Sequence, residues 1–493
     1  PAGPAGSGQK LGRAAEALPD VKNYYNKKEG YIMINTNNIY EELQKRAEEG
    51  KIIRLGMIGF GRFPSTFTVQ IDRIPGIQLV GVAEMNPARA QKTCNLLEWP
   101  KERYSALSFE EAAKNGTTCI VEDADALFKS DFIDILVDCT GNPYAGVHHV
   151  KMACQYHKDI IMVNIECMAA VGPLLNRMAE EAGVLLSYAY GDQPAKLCSM
   201  IDWAKTCGFE IEAAGEWRPY TLGDKELPPT DEVFRRFGYD VEEAHRFGMN
   251  PKGYCSFLDN TKGAIEMCVV ANATNLSAPE GGLHYYPAGY EDLPKILRPV
   301  EVGGKLTRSG VMEVCAPNYP EKGVSAPVPG AFRAGMYVVM RTDGRPMMKD
   351  AVIKAWYPTD DTHCYSAYMY PVHGIGLELG MTPAVMTLLR KPTGACKYFS
   401  TDVVSITKKD LQVGEILDGE GGFCAHGEFF TAEESLQLNA VPMGLSGAMK
   451  VIRPIKRGQV ITWDDVEFDA QNEAIILRRE MEKIFKKEKN IVN

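Results

Sequence analysis

Two carboxylates and one glycine turn are the features of this chain best suited to chemistry. In "KIIRLGMIGFGRFP" (51–64) an apolar run leads into Gly59-Phe60-Gly61, with Arg62 next and Pro64 where a third glycine often stands. One glycine permits a tight turn, and the other lets the backbone approach a pyrophosphate at a helix N-terminus. Pro64 suits a first helical turn, where its missing N–H would be unpaired anyway. Glu84 lies 23 residues after Gly61, at the end of the next apolar run, "IQLVGVAE" (77–84). A carboxylate there can accept hydrogen bonds from a ribose 2′-OH. Later turns bring Thr140, Gly141, Asn142 and Pro143 in "DCTGNP", Asn164 and Glu166 in "MVNIE", and Asp192 in "YGDQP". A carboxylate closing an apolar strand needs a partner or a role. Glu166 and Asp192 are therefore candidates for moving a proton or holding a substrate. The plainer reading of Asp192 is a cap on the helix that follows.

Further candidates lie outside these turns. Lys196 follows Asp192, and Lys305 stands in "GGKLTRSG"; a lysine of depressed pKa can act as a base, although most lysines are simply solvated. His284, in "GGLHYYP", is a candidate acid or base. Arg308 and Arg218 (in "GEWRPY") are candidates to hold substrate. His148 and His149 sit in a helical stretch, while His363 and His373 are ten residues apart, without zinc-ligand spacing. No metal ligand is assigned, although Asp192 with Glu166 could offer oxygens to a divalent ion. The 13 cysteines are scattered without a CxxC pair, which fits reduced thiols and a cytoplasmic location. Cys139, Cys167 and Cys198 read as small hydrophobes.

The elements that must position these groups alternate. Apolar runs at 52–58, 77–84, 118–123, 132–143 and 159–166, with helical stretches between them, predict an α/β Rossmann fold, a doubly wound parallel sheet. Ligands of such sheets sit beyond the carboxyl ends of the strands. "NIYEELQKRAEEGK" (38–51) reads as a helix leading into the first strand. From about residue 205, "GFEIEAAGEW", "AIEMCVVANAT", "MYVVMRT" and "DAVIKAWYPT" read as strands of an α+β domain. The expected units are a tail at 1–37, a dinucleotide-binding domain at 38–205, a central substrate and dimerisation domain at 206–395, and a small β-rich domain at 396–493, closed by a helix at 473–487. The net charge of −10 and the absence of a long basic run argue against a nucleic-acid partner. No run of eighteen apolar residues predicts a membrane span. A small-molecule substrate and a homo-oligomer are expected.

Several longer stretches carry a resemblance: "GMIGFGRF" (56–63), "DCTGNP" (138–143), "MVNIECMAAVGP" (162–173), "YGDQP" (190–194), "VVANATNL" (269–276), "GGKLTRSGVMEV" (303–314), "VVSITKKDLQVGEIL" and "AVPMGL" (440–445). Residues from about 40 to 200 resemble the nucleotide-binding half of homoserine dehydrogenase-like oxidoreductases. The likeness extends to a branch with a C-terminal SAF-like domain, the branch of the deoxyxylulose-phosphate reductoisomerase-like enzymes. It implies hydride transfer with NAD or NADP on a small hydroxy acid or sugar-derived substrate; the reductoisomerase-like group itself implies NADPH and a divalent ion. Two departures stand out. Glu84 would repel a 2′-phosphate, which favours NAD, and "GEWRPY" offers Arg218 alone where lysines gripping a substrate phosphate would be expected. The alternatives are a reductoisomerase-like enzyme using NADPH and a non-catalytic NAD-binding sensor; a sensor would lack the acid/base residues found here.

Overall fold

The computed structural model describes residues 38–246 and 249–488. The expected tail at 1–37 lies outside the described residues, as does the side chain of Arg62. Helix α1 (Ile39–Glu48) leads into β1 (Ile53–Ile58). Then come α2 (Arg62–Thr68), β2 (Ile77–Ala83), α3 (Pro87–Leu96), β3 (Cys119–Val121) and β4 (Ile135–Asp138). The unit ends with α4 (Pro143–Gln155), β5 (Asp159–Met162), α5 (Ile165–Glu181) and β6 (Leu186–Tyr188). The six strands lie in the order β3-β2-β1-β4-β5-β6, and every pairing is parallel. This is the doubly wound Rossmann order, with its ligand crevice where β1 and β4 part. The strands read as continuous apolar runs because both faces are covered. Leu55, Met57, Val82 and Val137 pack into one core, and Ile58, Leu136, Ile160 and Met162 into the other.

Helix α6 (Gln193–Thr206) leads into β7 (Glu210–Trp217), which starts a mixed sheet. That sheet is completed by β8 (Tyr286–Pro287), β9 (Val311–Ala316), β10 (Met336–Arg341) and β11 (Tyr365–Tyr370), in the order β11-β10-β7-β9-β8. Two stretches expected as strands are helices instead. "AIEMCVVANAT" lies within α7 (Thr261–Thr274), and most of "DAVIKAWYPT" within α8 (Pro346–Lys354) and its exit. Ile265, Met267, Cys268, Val269, Val270 and Ala271 of α7 are all buried. A helix packed on every side has no polar face, so its sequence lacks the 3.6-residue alternation that would mark it. Helix α7 lies between α5 and α6 on one side and the C-terminal strands on another.

The boundaries drawn from sequence are crossed twice. Helix α9 (Met381–Leu389), expected in the central unit, packs against α1 and β1, and the Tyr188 N–H donates to the Gly394 carbonyl. The last stretch carries β12 (Thr401–Thr407) paired with β13 (Ala425–Thr431), the short pair β14 (Lys450–Val451) and β15 (Val466–Glu467), and α10 (Glu473–Glu488). It shares one continuous apolar core with α5, α6 and α7. Three buried polar ties reinforce that union. The Asn272 carboxamide oxygen accepts from the Ser400 and Thr401 N–H groups, Lys408 Nζ is 2.6 Å from Asp259, and Arg478 Nη1 donates to the Ala170 carbonyl of α5 at 2.8 Å. Among the described residues, no helix is long and apolar enough to cross a membrane.

Candidate active site

At the edge formed by the glycine turn the backbone sets the geometry. Gly59 has φ +83°, which an L side chain rarely adopts, and its N–H is tied to the Ala83 carbonyl. A Cβ on Gly59 would stand 3.3 Å from the Cys139 carbonyl oxygen, so the first turn lies directly against the turn that follows β4. Gly61 precedes α2, and Pro64 falls in its first turn, as the sequence suggests. Glu84 is buried just beyond β2; its two oxygens accept from the Phe60 N–H at 3.1 Å and the Asn86 N–H at 3.2 Å. Arg89 Nε stands 3.9 Å from the same carboxylate, and its side chain reaches Gly61, leaving about 2.9 Å to an added Cβ.

The turn after β4 is exposed at Thr140, Gly141 and Asn142, and nothing lies within 4 Å of a Cβ built on Gly141. Asn142 caps α4, with Pro143 as its first residue. Buried Asn164 fixes this turn from below: its Nδ2 donates to Asp138, to Thr140 Oγ1 at 3.0 Å and to the Asn142 carbonyl at 2.8 Å. Asp138 also holds His149 at 2.9 Å. A positive-φ glycine at the first turn, an open glycine crest at the second and a buried acid at the end of β2 fit a dinucleotide.

Facing that edge, side chains set the geometry. The N-termini of α5, α6 and α7 converge, and each brings a charge. Glu166 is in the first turn of α5, which corrects the expectation that it ends a strand: β5 stops at Met162 and Asn164 caps the helix. Asp192 caps α6 through the Gln193 N–H at 3.1 Å. Lys262, in the first turn of α7, makes an ion pair with Glu166. Glu266 lies one turn further along α7 and pairs with Arg218, whose Nε also donates to Glu216 at 2.7 Å. Glu216, Arg218 and Glu266 are all buried. Three converging helix N-termini, each carrying about half a positive charge, help to hold so many acids together.

The carboxyls respond to this crowding. Burial, then the neighbouring Glu266, pushes the Asp192 pKa up to about 7, although Lys262 pulls the other way. Burial pushes Glu216 up to about 8, against Arg218 and with help from Glu266. Glu420, from the loop before β13, is pushed up to about 8 by burial and Glu166. Lys262 is raised by Glu166, Glu420, Asp192 and Glu266, which outweigh its burial. A carboxyl with a pKa near neutrality can both take and return a proton.

Lys196 stands at the rim, 3.4 Å from Glu378 and over the rings of Tyr190 and Tyr370, with Nζ 5.0 and 4.3 Å from their centroids. Glu378 belongs to a strap that ties the two edges together. Gly376 has φ +71°, its N–H donates to the Gly191 carbonyl at 3.2 Å, and an added Cβ would overlap Thr66 of α2. Thr66 Oγ1 in turn donates to the Ile375 carbonyl at 2.8 Å.

Of the residues singled out by sequence, Asp192, Glu166 and Arg218 come together, with Lys196 beside them. His284 stands on the flank. It is 2.7 Å from Glu313, whose hydrogen bond raises its pKa, and it is adjacent to Tyr285, whose hydroxyl donates to Asn260 just before α7. Lys305 and Arg308 do not join the cluster. Lys305 is exposed beside Leu306, which packs with Trp217 and Tyr337 on the face of the mixed sheet turned away from α7. Arg308 lines a surface pocket with Asn275, Ser400 and Glu433, at the opposite end of α7. Sequence reading missed Lys262, Glu266, Glu216 and Glu420. A carboxylate inside the apolar strand "EIEAAGEW" was a usable signal for Glu216; the others needed the fold. Among the described residues, no group of three or more His, Cys, Asp or Glu side chains is arranged to hold a metal ion.

Residues 191–379 match the family model of the oxidoreductase DRL catalytic domain. No curated protein sequence matches the chain. Similar solved structures include a homoserine dehydrogenase from Thiobacillus denitrificans (16% identity, TM-score 0.39, covering 69% of this chain and 74% of that one). An amine dehydrogenase from Mycobacterium smegmatis is similar at 13% identity and TM-score 0.36, covering 70% of this chain and 94% of that one. An NAD binding oxidoreductase from Klebsiella pneumoniae is similar at 13% identity and TM-score 0.25, covering 37% of this chain; there the chain spans only about half, 47%, of the other protein's length. Over these residues the chain is similar to an oxidoreductase catalytic domain. The matched segment begins at Gly191, beside Asp192, and takes in Lys196, Glu216, Arg218, Lys262 and Glu266.

Proposed function

We propose that the chain is a nicotinamide-dependent dehydrogenase of a small hydroxylated substrate, with NAD as the preferred cofactor. The observation that carries this reading is the convergence of Asp192, Glu166, Lys262, Glu216, Glu266 and Arg218 at three helix N-termini, beside the β1/β4 crevice of a Rossmann sheet. A bound nicotinamide would exchange the hydride. The backbone at Gly59 and Gly61 would approach the pyrophosphate, Glu84 would accept from the adenosine ribose, and Thr140 to Pro143 with Asn164 would shape the floor beyond β4. Asp192 would take the proton of the reacting hydroxyl, which a carboxyl near neutral pKa does efficiently. Lys262, held by Glu166, would stabilise negative charge developing on that oxygen. Arg218, fixed by Glu216 and Glu266, would orient the rest of the substrate. The β-rich C-terminal stretch, read as a SAF-like module, would close the site through Glu420.

The test has two parts. Tryptophan-to-NADH energy transfer measures cofactor binding, and NADH formation over a panel of polyols and hydroxy acids measures turnover. The parent is expected to bind NADH and reduce NAD with at least one of these compounds, and Asp192→Asn to bind NADH equally while losing about 10²–10⁴ in kcat. No nicotinamide binding by the parent, or full activity in the asparagine variant, would overturn the reading.

A further inference from the structure

Among the described residues, the cations of the charged cluster are already taken. Lys262 pairs with Glu166, Arg218 with Glu216 and Glu266, Lys196 with Glu378, Lys225 with Glu428 at 2.5 Å, and Lys408 with Asp259. His284 is held by Glu313. Asp192 and Glu420 remain beyond these pairings, both close enough to Lys262 to raise its pKa. The two other cations that sequence offered for gripping an anion, Lys305 and Arg308, lie away from the site. Within the cluster one oxygen is unmatched: Glu216 Oε2 is buried without a hydrogen-bond partner, on a side chain 1% exposed. A buried polar atom left unmatched costs free energy until a partner reaches it.

Resting on the dehydrogenase reading above, we infer that the substrate is an uncharged polyhydroxyl compound, a polyol or aldose without a phosphate or carboxylate, whose hydroxyls hydrogen-bond Glu216 and Asp192. Hydroxyls both donate and accept, so they match carboxyls that alternate between protonated and ionised forms. Among the described residues of the cluster a phosphate would find no unpaired cation and would face carboxylates instead; a binding site selects against a wrong partner by leaving its charge unmatched. An ammonium group offers donors only and could not accept from the protonated carboxyls.

The test uses the full chain saturated with NAD and a panel of C4–C6 polyols and aldoses. The panel adds the phosphate monoester, the aldonate and the amino analogue of each, with inorganic phosphate as a separate probe. Melting temperature reports binding and kcat/KM reports turnover. At least one polyol or aldose should raise the melting temperature and be turned over at least tenfold more efficiently than its phosphate ester, aldonate or amine, and inorganic phosphate should shift nothing. Glu216→Gln, checked as folded by its NADH binding, should weaken the preferred polyol at least tenfold; Asp192→Asn should weaken it too, should the first variant fail to fold. A phosphate ester, aldonate or amine that outperforms its parent polyol, a phosphate-induced shift, or a panel without any responding polyol would overturn the inference. NADH binding in the same samples separates the two failures: without it the dehydrogenase reading falls, and with it only the substrate class does.

Discussion

The two edges of the crevice are built from different material. The glycine edge, proposed above to take the dinucleotide, is made of backbone: a positive-φ glycine, a glycine crest and helix N-termini, trimmed by Glu84 and Asn164. The facing edge is made of charged side chains from helices and strands far apart in sequence: Glu166, Asp192, Glu216, Arg218, Lys262, Glu266 and Glu420. Backbone recognition tolerates many substitutions, because it depends on local conformation. A buried charge network does not, because removing one member leaves its partner unmatched in a medium that solvates it poorly. Lesions at the facing edge should therefore damage chemistry and stability together, while lesions at the cofactor edge should act mainly on affinity.

The largest expected effect is at Lys262. Lys262→Met leaves Glu166 without its cation and Asp192 and Glu420 without a neighbour that favours their ionised forms. Breaking a buried pair costs about 3–5 kcal/mol; with some solvent at this pair, about 2–4 is expected, read by urea denaturation. kcat should fall at least about a hundredfold, with NADH affinity within about threefold of the parent. A variant that loses cofactor binding as severely as turnover would erase the distinction between the edges.

Asp192→Asn should split stability from activity. The folded-state pKa of Asp192 is raised from 3.8 to about 7, so the native state holds more protons than the unfolded state across that window. Stability contributed here is full at low pH and falls as pH rises from about 4 to about 7. The amide cannot ionise, so the variant should be more stable than the parent at pH 8, by at most the roughly 4 kcal/mol that the shift implies, with the gain vanishing near pH 4. Denaturation at the two pH values checks it, and an equal difference at both would show that ionisation is not the cause.

That division also explains what the sequence disclosed. The glycine turn, Glu84, the alternation of strands and helices and the "GDQP" cap are local patterns, and each was legible because neighbouring residues produce it. Helix α7 was not: buried on all sides, it reads like a strand, and with it went Lys262 and Glu266. Glu166 was noticed but set on a strand, because nothing in "MVNIE" distinguishes a strand end from a helix cap. Lys305 and Arg308 were misplaced for a different reason. A glycine-rich loop announces exposure but not which face of the sheet it will cover, and here it covers the far one. The C-terminal stretch looked independent because its strands are short and regular, while the ties joining it to α7, such as Asn272 with Ser400 and Thr401, span more than a hundred residues of chain.

At the cofactor edge, Gly61→Val should place a branched side chain where Arg89 now lies and where a pyrophosphate would approach. Arg89 can swing away, being exposed, so folding should survive. The dissociation constant for NADH should rise by about ten- to a hundredfold, with kcat at saturating cofactor nearly unchanged. Unchanged affinity would place the dinucleotide elsewhere.

The smallest effect, and the finest, is cofactor choice at Glu84. Its carboxylate is buried and already fixed by the Phe60 and Asn86 N–H groups, so it cannot turn away from a ligand lying over β2. Toward the two ribose hydroxyls of NAD it would act as a charged acceptor. Toward a 2′-phosphate carrying nearly two negative charges the same fixed carboxylate is repulsive, by about 1–3 kcal/mol. Arg89 works in the other direction. It is exposed, stands 3.9 Å from Glu84, and can fold onto a phosphate. The balance should leave the parent favouring NADH over NADPH by about tenfold. Glu84→Ser removes the repulsion and keeps Arg89, so the gap should close to within about threefold, chiefly through tighter NADPH binding. Arg89→Ala should do the opposite and widen it. A parent that binds NADPH more tightly than NADH would mean that Arg89, not Glu84, governs this end of the crevice.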